Sequence, residues 1–421
     1  MAANARNDRQ GERPLQSDAK QVPRISVQAF CDTRDTAAIV EAAAADRRMA
    51  KAHVKVQMGG LAAAVEFYGS APTPNLVIVE SREPRAQIMA HLDRFAEVCD
   101  PGSKVIVIGH INDVIMYREL GRRGVSEYMV VPFDMFDLIS EIGEIYYNPT
   151  AAPLGKTIAF VGAKGGSGSS TLAHNVAWAM STSFENDVVV ADMDLAWGTA
   201  GLDYNLDPTQ GIADALASPD RIDETYMDRL LAKCAERLSL LAAPATLDRT
   251  FDLDEAAMEP IIEIVRAGVP VVVLDLPHIW SGWMRRTLRN VDEAVIVSTP
   301  DLAGLRNAKN LVDFMKQARQ NDAPPRLILN MVGIPKRPEI KPEEFAKALE
   351  LPILATIPFE PQLFGTASNN GQMIGEADPR SPIGETFREI SQVLIGRAQI
   401  KETKRSALAP LLARLTGKAG K

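Results

Sequence analysis

The residues of this chain best suited to chemistry lie in one run, GAKGGSGSST, from Gly162 to Thr171. Glycines at 162, 165, 166 and 168, a lysine at 164 and hydroxyls at Ser167, Ser169, Ser170 and Thr171 sit between two different patterns. An apolar stretch, Thr157-Ile-Ala-Phe-Val161, precedes them, and a helical spacing of Leu172, Val176, Ala177 and Met180 follows. Strand, glycine-rich turn and helix start is the context in which backbone N–H groups and the helix dipole converge on a polyphosphate. Against the spacing GxxxxGK[ST], Gly162 and Gly168 take the two glycine positions and Ser170 stands where a hydroxyl ligates Mg²⁺. The lysine position is Ser169. The loop is therefore expected to bind ATP with Mg²⁺, whereas hydrolysis is a separate question.

Two further segments supply acids. ADMDLAWG, Ala191 to Gly198, sets Asp192 and Asp194 at the end of an apolar strand, the edge where doubly wound sheets bind ligands. VVVLDLPH, Val271 to His278, ends a second apolar strand in Asp275, placed to accept from a magnesium-bound water or to hold the loop hydroxyl. His278 could sense a γ-phosphate or simply bond within its loop.

Lys164 lies where the deviant loop KGGxGK[ST] carries an early lysine, and in this the chain resembles the ParA/MinD family of ATPases. The resemblance implies that Lys164 reaches across a homodimer to the partner's nucleotide. It also implies that Asp194 orients the attacking water or supports the Mg²⁺ shell, and that Asn330, after the strand Arg326-Leu-Ile-Leu329, reads the adenine edge. Where the family has D-x-P-x-G, this chain runs Asp275-Leu-Pro-His278-Ile279-Trp280, without the glycine. A lysine on the β/γ-phosphates stabilises the charge that shifts as the bond breaks, so its loss at Ser169 should slow hydrolysis more than it weakens binding. At most a slow ATPase is expected.

The elements that position these residues form two α/β domains. From Arg24 to Tyr146 five short apolar strands alternate with helical stretches, a doubly wound parallel sheet of flavodoxin-like type. NLVIVESREP and GVSEYMVVPF resemble a response-regulator receiver domain, but its chemistry is missing. Glu80 replaces the phosphoacceptor aspartate, Gly109 the hydroxyl residue and Val131 the lysine, while Asp32 alone remains of the acidic pair. Phosphorylation is not expected. Glu80 reads either as a mimic of a charged state or as a solvated carboxylate at a strand end.

Residues 1 to 23 read as a disordered tail and 147 to 156 as a linker. Residues 157 to 396 read as a mostly parallel P-loop domain whose near-continuous Val/Ile/Leu runs suit strands buried on both faces. In residues 397 to 421, Leu408, Leu411, Leu412 and Leu415 make one apolar stripe flanked by basic residues, which could lie on an anionic membrane or dock on protein. The run FGTASNNGQ, and the joining of a degenerate receiver to a loop without its second lysine, resemble the CpaE/TadZ branch of pilus-assembly members. That resemblance implies an ATP-binding dimer that marks a pole or inner-membrane site for Flp/Tad-type pilus assembly and secretion machinery, from the cytoplasm.

Composition agrees with a globular chain of two or three domains: 421 residues, 46% hydrophobic and 24% charged. A formal charge of −8 argues against a surface given over to nucleic acid. A DNA-partitioning ATPase would need Arg285, Arg286, Arg289, Arg306 and Lys309 near the dimer seam, and a nucleotide-free scaffold is the other alternative. Cys31, Cys99 and Cys234 form no CxxC pair, so neither a disulfide framework nor a zinc site is indicated.

Overall fold

The computed structural model describes residues 22–146 and 154–396. The expected N-terminal tail through residue 21, the connecting stretch 147–153 and the basic Leu stripe of 397–421 lie outside the described residues. The chain divides into two units, each with its own sheet.

In the first unit the elements are β1 (Ser26–Cys31), α1 (Arg34–Ala45), β2 (His53–Met58), α2 (Gly60–Tyr68), β3 (Leu76–Ser81), α3 (Arg85–Val98), β4 (Lys104–Gly109), α4 (Val114–Arg122), β5 (Glu127–Val130) and α5 (Met135–Ile145). The five strands pair in parallel in the order β2-β1-β3-β4-β5, which is the flavodoxin-like order expected. β3, LVIVES, is buried along its whole length because helices cover both faces. One boundary differs from expectation. Val22 is fully buried, and its N–H donates to the Arg48 carbonyl at 2.9 Å, so the folded unit begins before residue 24. The first helix stops at Ala45, where the Asp46 side chain accepts from the Arg48 N–H at 2.9 Å and starts a short 3₁₀ turn.

The second unit runs β6 (Lys156–Gly162), α6 (Ser169–Phe184), β7 (Val188–Asp192), α7 (Ala200–Asp203), α8 (Ile212–Ala217), α9 (Glu224–Leu230), β8 (Leu231–Ala235), β9 (Leu238–Leu241), α10 (Glu259–Gly268), β10 (Val271–Leu276), α11 (Gly282–Asn290), β11 (Glu293–Ser298), α12 (Leu302–Ala318), β12 (Arg326–Val332), α13 (Pro342–Leu349), β13 (Ile353–Pro358), α14 (Pro361–Asn369), α15 (Ile374–Ala377) and α16 (Pro382–Leu394). Its sheet has the order β13-β12-β11-β6-β10-β7-β9-β8. All pairings are parallel except β8 with β9, a hairpin turned at Glu236-Arg237 that sequence reading does not anticipate. Lys156, expected in a linker, already belongs to β6, where its N–H donates to the Pro270 carbonyl at 2.8 Å. Two apolar layers sandwich the sheet, one built on α10, α11 and α12 and the other on α6 and α16. This packing holds the ends of β6, β7, β10, β11 and β12 in a row, and the loops that leave them carry the candidate chemistry.

Candidate functional site

β6 lies between β10 and β11, and its last residue opens the glycine-rich loop. The Ala163 N–H donates to the Val297 carbonyl at 2.8 Å, which anchors the loop to β11 as it leaves the sheet. Gly166 and Gly168 have φ of +74° and +81°, a left-handed backbone that side chains resist. At Gly168 a Cβ would also run into the Asn330 amide. α6 then starts with no side chain capping its first turn, so those amides remain available to an anion. Ser169, at the lysine position, is buried, and its hydroxyl has no hydrogen-bond partner.

Asn330 on β12 is buried, and its Nδ2 donates to the Ser167 carbonyl at 2.8 Å. Sequence reading gave this amide to an adenine edge. One N–H of this amide thus holds the shape of the loop, and its second N–H and Oδ1 remain for a base. His278 likewise engages the loop, with Nδ1 3.0 Å from the Gly162 carbonyl, as a histidine bonded within its loop would.

Lys164 bonds within its own chain. Its Nζ lies 2.5 Å from Asp301 Oδ2, just beyond β11. Asp301 also accepts from the Thr299 hydroxyl and the Gly304 N–H, each at 2.8 Å. Burial opposes ionisation of Asp301, but the Lys164 ammonium, the Gly304 N–H and the Thr299 hydroxyl outweigh it and hold the carboxyl down at about 2. Any role of Lys164 outside its own chain thus begins with breaking a charged contact.

The acids gather on the other side of β6. Asp275 pairs in register with Phe160 of β6 and Asp192 of β7. Asp192 is buried and accepts from the N–H groups of Asp194 at 3.2 Å and Ala200 at 3.1 Å. Burial and the Asp275 carboxylate push its pKa up. Asp194 is half-buried and closes its own turn, with Oδ1 accepting from the Trp197 N–H at 3.1 Å. Behind these acids sits His174, which sequence reading passed over. Its Nδ1 is 2.7 Å from Asp203 Oδ2, and its Nε2 is 3.3 Å from Asp275 Oδ2. Burial works against a charged imidazole, but the two carboxylates prevail and raise its pKa well above the ordinary value. A histidine amid the apolar residues of α6 was the signal available in the sequence.

Asp275 Oδ1 is a buried acceptor without a partner, close in register to the strand that feeds the loop, and this fits a cation held partly through water. Among the described residues no group of three or more His, Cys, Asp or Glu side chains could hold a metal alone. Mg²⁺, which keeps waters and binds substrate phosphates through few protein ligands, is compatible with that; Ser170, Asp275 and Asp194 are the residues that would serve it.

The corresponding strand end of the first unit is built differently. Glu80 is completely buried, so it is not a solvated carboxylate. It accepts from the N–H groups of Asp32 at 2.7 Å and Thr33 at 2.8 Å, from the Thr36 hydroxyl at 2.8 Å and from His110 Nε2 at 3.0 Å, with the Thr33 hydroxyl also 3.0 Å away. Burial alone would raise its pKa, but these donors hold the carboxyl below the usual carboxylate range. Of the basic residues weighed for DNA, Arg286 is paired with Glu259 and Lys309 with Asp313.

A strand, phosphate loop and helix, with acids on the neighbouring strand ends, define a P-loop nucleotide-binding protein. The chain belongs to the CobQ/CobB/MinD/ParA nucleotide-binding domain family, whose model matches residues 158–372, just over half of the chain. In its N-terminal region the chain is similar to pilus assembly proteins. CpaE from Caulobacter crescentus CB15 is 48% identical over 31% of this chain and 98% of its own, in the N-terminal region, with a TM-score of 0.30. A ParA family ATPase from Chlorobium tepidum TLS is 26% identical, covers 56% of this chain and 98% of its own and has a TM-score of 0.52. The septum site-determining protein MinD of Bacillus subtilis (strain 168) is 24% identical over 255 residues, which are 58% of this chain and 91% of that protein. Together the family model and these ATPase relatives support a nucleotide-binding domain of the ParA/MinD type. Among the described residues no helix is long and apolar enough to cross a membrane.

Proposed function

We propose that this chain is a nucleotide-dependent localisation factor for Flp/Tad-type pilus assembly and secretion machinery. It acts from the cytoplasm at a pole or at the inner membrane, as a homodimer that forms when ATP and Mg²⁺ are bound. The observation that carries the reading is the glycine-rich loop itself: uncapped amides at the start of α6 beside a buried, unpartnered Asp275 oxygen. The similarity to CpaE supports the pilus assignment.

In this reading the loop amides from Gly165 to Thr171 hold the phosphates, and Ser170 and Asp275 serve the metal side. Bound Mg²⁺ supplies charge neutralisation to the phosphates. Asn330 and His278 keep the loop in shape, and Asp194 orients a water. Lys164 leaves Asp301 and reaches the nucleotide of the second copy, providing the positive charge that Ser169 does not. Turnover is slow because the site lacks a lysine of its own on the transferring group.

Calorimetry with Mg-ATP, followed by sedimentation velocity with and without nucleotide, tests the reading. The wild type is expected to bind and dimerise, while Lys164→Ala binds but stays monomeric. Absence of binding would leave only a passive scaffold. Unchanged dimerisation of Lys164→Ala would remove the intermolecular lysine.

A further inference from the structure

His174 has no part in the functional reading above, yet it occupies the centre of the acid cluster. It is completely buried on α6, one turn past Ser170, and its two ring nitrogens face two different elements. One faces Asp203, the last residue of α7, and the other faces Asp275 on β10. The two arms are unequal. The Asp203 arm is a hydrogen bond of 2.7 Å, whereas Nε2 approaches Asp275 at 3.3 Å without satisfactory alignment. The Tyr204 hydroxyl donates to the His174 carbonyl at 2.9 Å, with the two rings 5.5 Å apart, so the end of α7 follows the histidine in backbone as well as side chain. The start of α7 is held by Asp192 through the Ala200 N–H.

α7 is thereby gripped at both ends by buried polar groups that border Asp275, while it and the turn before it present apolar side chains outward. Trp197 is 70% exposed and Leu202 72%. A buried network in a low dielectric cannot lose one partner cheaply, so a change at Asp275 is passed to whatever is bonded beyond it. When an Asp275 oxygen turns towards a cation or its water, the loose Nε2 arm is the contact that must lengthen or tighten. The firm Nδ1 arm then carries the shift to α7.

We propose that His174 is a positioning residue that couples Asp275 to α7, so that Mg-nucleotide in the loop alters how Trp197 and Leu202 are presented. The inference rests on the nucleotide-binding reading above and adds to it a route within one chain. His174 need not touch the nucleotide, and a histidine that merely filled the core would leave the metal and Trp197 unlinked.

The test uses the full chain and the emission of Trp197, isolated by subtracting the spectrum of Trp197→Phe. ATP is titrated once with Mg²⁺ and once with EDTA, and its affinity is measured calorimetrically in both. In the wild type the Trp197 emission changes with Mg-ATP and not with ATP in EDTA. In His174→Ala the change is lost, and the ratio of ATP affinities with and without Mg²⁺ falls by about fivefold or more, the lower end of ordinary coupling between sites. Asp203→Asn cuts the same link from the α7 side and serves if the cavity variant does not fold. Two outcomes overturn the coupling: folded His174→Ala and Asp203→Asn that keep the wild-type Mg²⁺-dependent signal, or a wild type that binds Mg-ATP with Trp197 unmoved. A wild type that binds no ATP at all instead removes the nucleotide reading on which the coupling stands.

Discussion

Glu80 on β3 and Asp275 on β10 are both buried acids near the ends of parallel strands, where a doubly wound sheet displays its ligands. Their surroundings are opposite. Around Glu80 the chain itself supplies backbone N–H groups, hydroxyls and an imidazole, so the carboxylate is satisfied without any ligand. Around Asp275 one oxygen has no partner, the nearby Ser169 hydroxyl has none, and the adjacent helix start is uncapped. The strand end in the first unit is closed by an internal anion, while the other retains the unmet polar groups that a ligand would satisfy. The two units therefore differ in what they can respond to, although both are parallel α/β sheets.

The comparison is broken most severely at Gly168. Gly168→Val forces a β-branched side chain into a left-handed backbone and against Asn330. ATP affinity should fall by about a hundredfold or more, given that each tenfold corresponds to about 1.4 kcal/mol. Unaltered affinity by calorimetry would mean that the nucleotide is not held by this loop. Ser169→Lys sharpens the contrast from the other direction. Supplying the missing cation should raise phosphate release by about tenfold or more, and equal turnover in the two proteins would show that another feature limits the reaction.

The closed site is expected to affect folding and not nucleotide affinity. Glu80→Ala leaves buried donors unsatisfied and should destabilise the first unit by about 3 kcal/mol, with Glu80→Gln costing less because its carbonyl still accepts. The lowered pKa of Glu80 adds a pH signature. A carboxyl held below its unfolded value contributes stability that is complete above the usual carboxylate range and is lost as the pH falls through the lowered value. Thermal melts of the wild type should therefore weaken on acidification more than those of Glu80→Gln. Parallel acid limbs in the two proteins would show that the Glu80 bonds contribute nothing.

The phosphate loop and the strand-end acids were legible in the sequence because their information is local: glycine spacing, flanking periodicity and an aspartate closing an apolar run. Contacts between distant residues were not. Nothing in the sequence around Glu80 shows that Thr33, Thr36 and His110 converge on it, and nothing near Lys164 names Asp301 as its partner. Asn330 is legible from its place at the end of β12, but its bond to the Ser167 carbonyl is not. The hairpin β8–β9 escaped notice because LAKCAERLSLL carries weak alternation and a two-residue turn without glycine or asparagine.

That hairpin has a consequence for how copies of the molecule can meet. β8 is five residues long, runs against its neighbour and forms one border of the sheet, with the exposed Lys233 at its middle. At the opposite border β13 follows Pro352 and ends at Pro358. A short strand bearing a cation, and one bracketed by residues that cannot donate, are poor templates for a further strand. Fibrous growth by lateral joining of sheets is thereby discouraged.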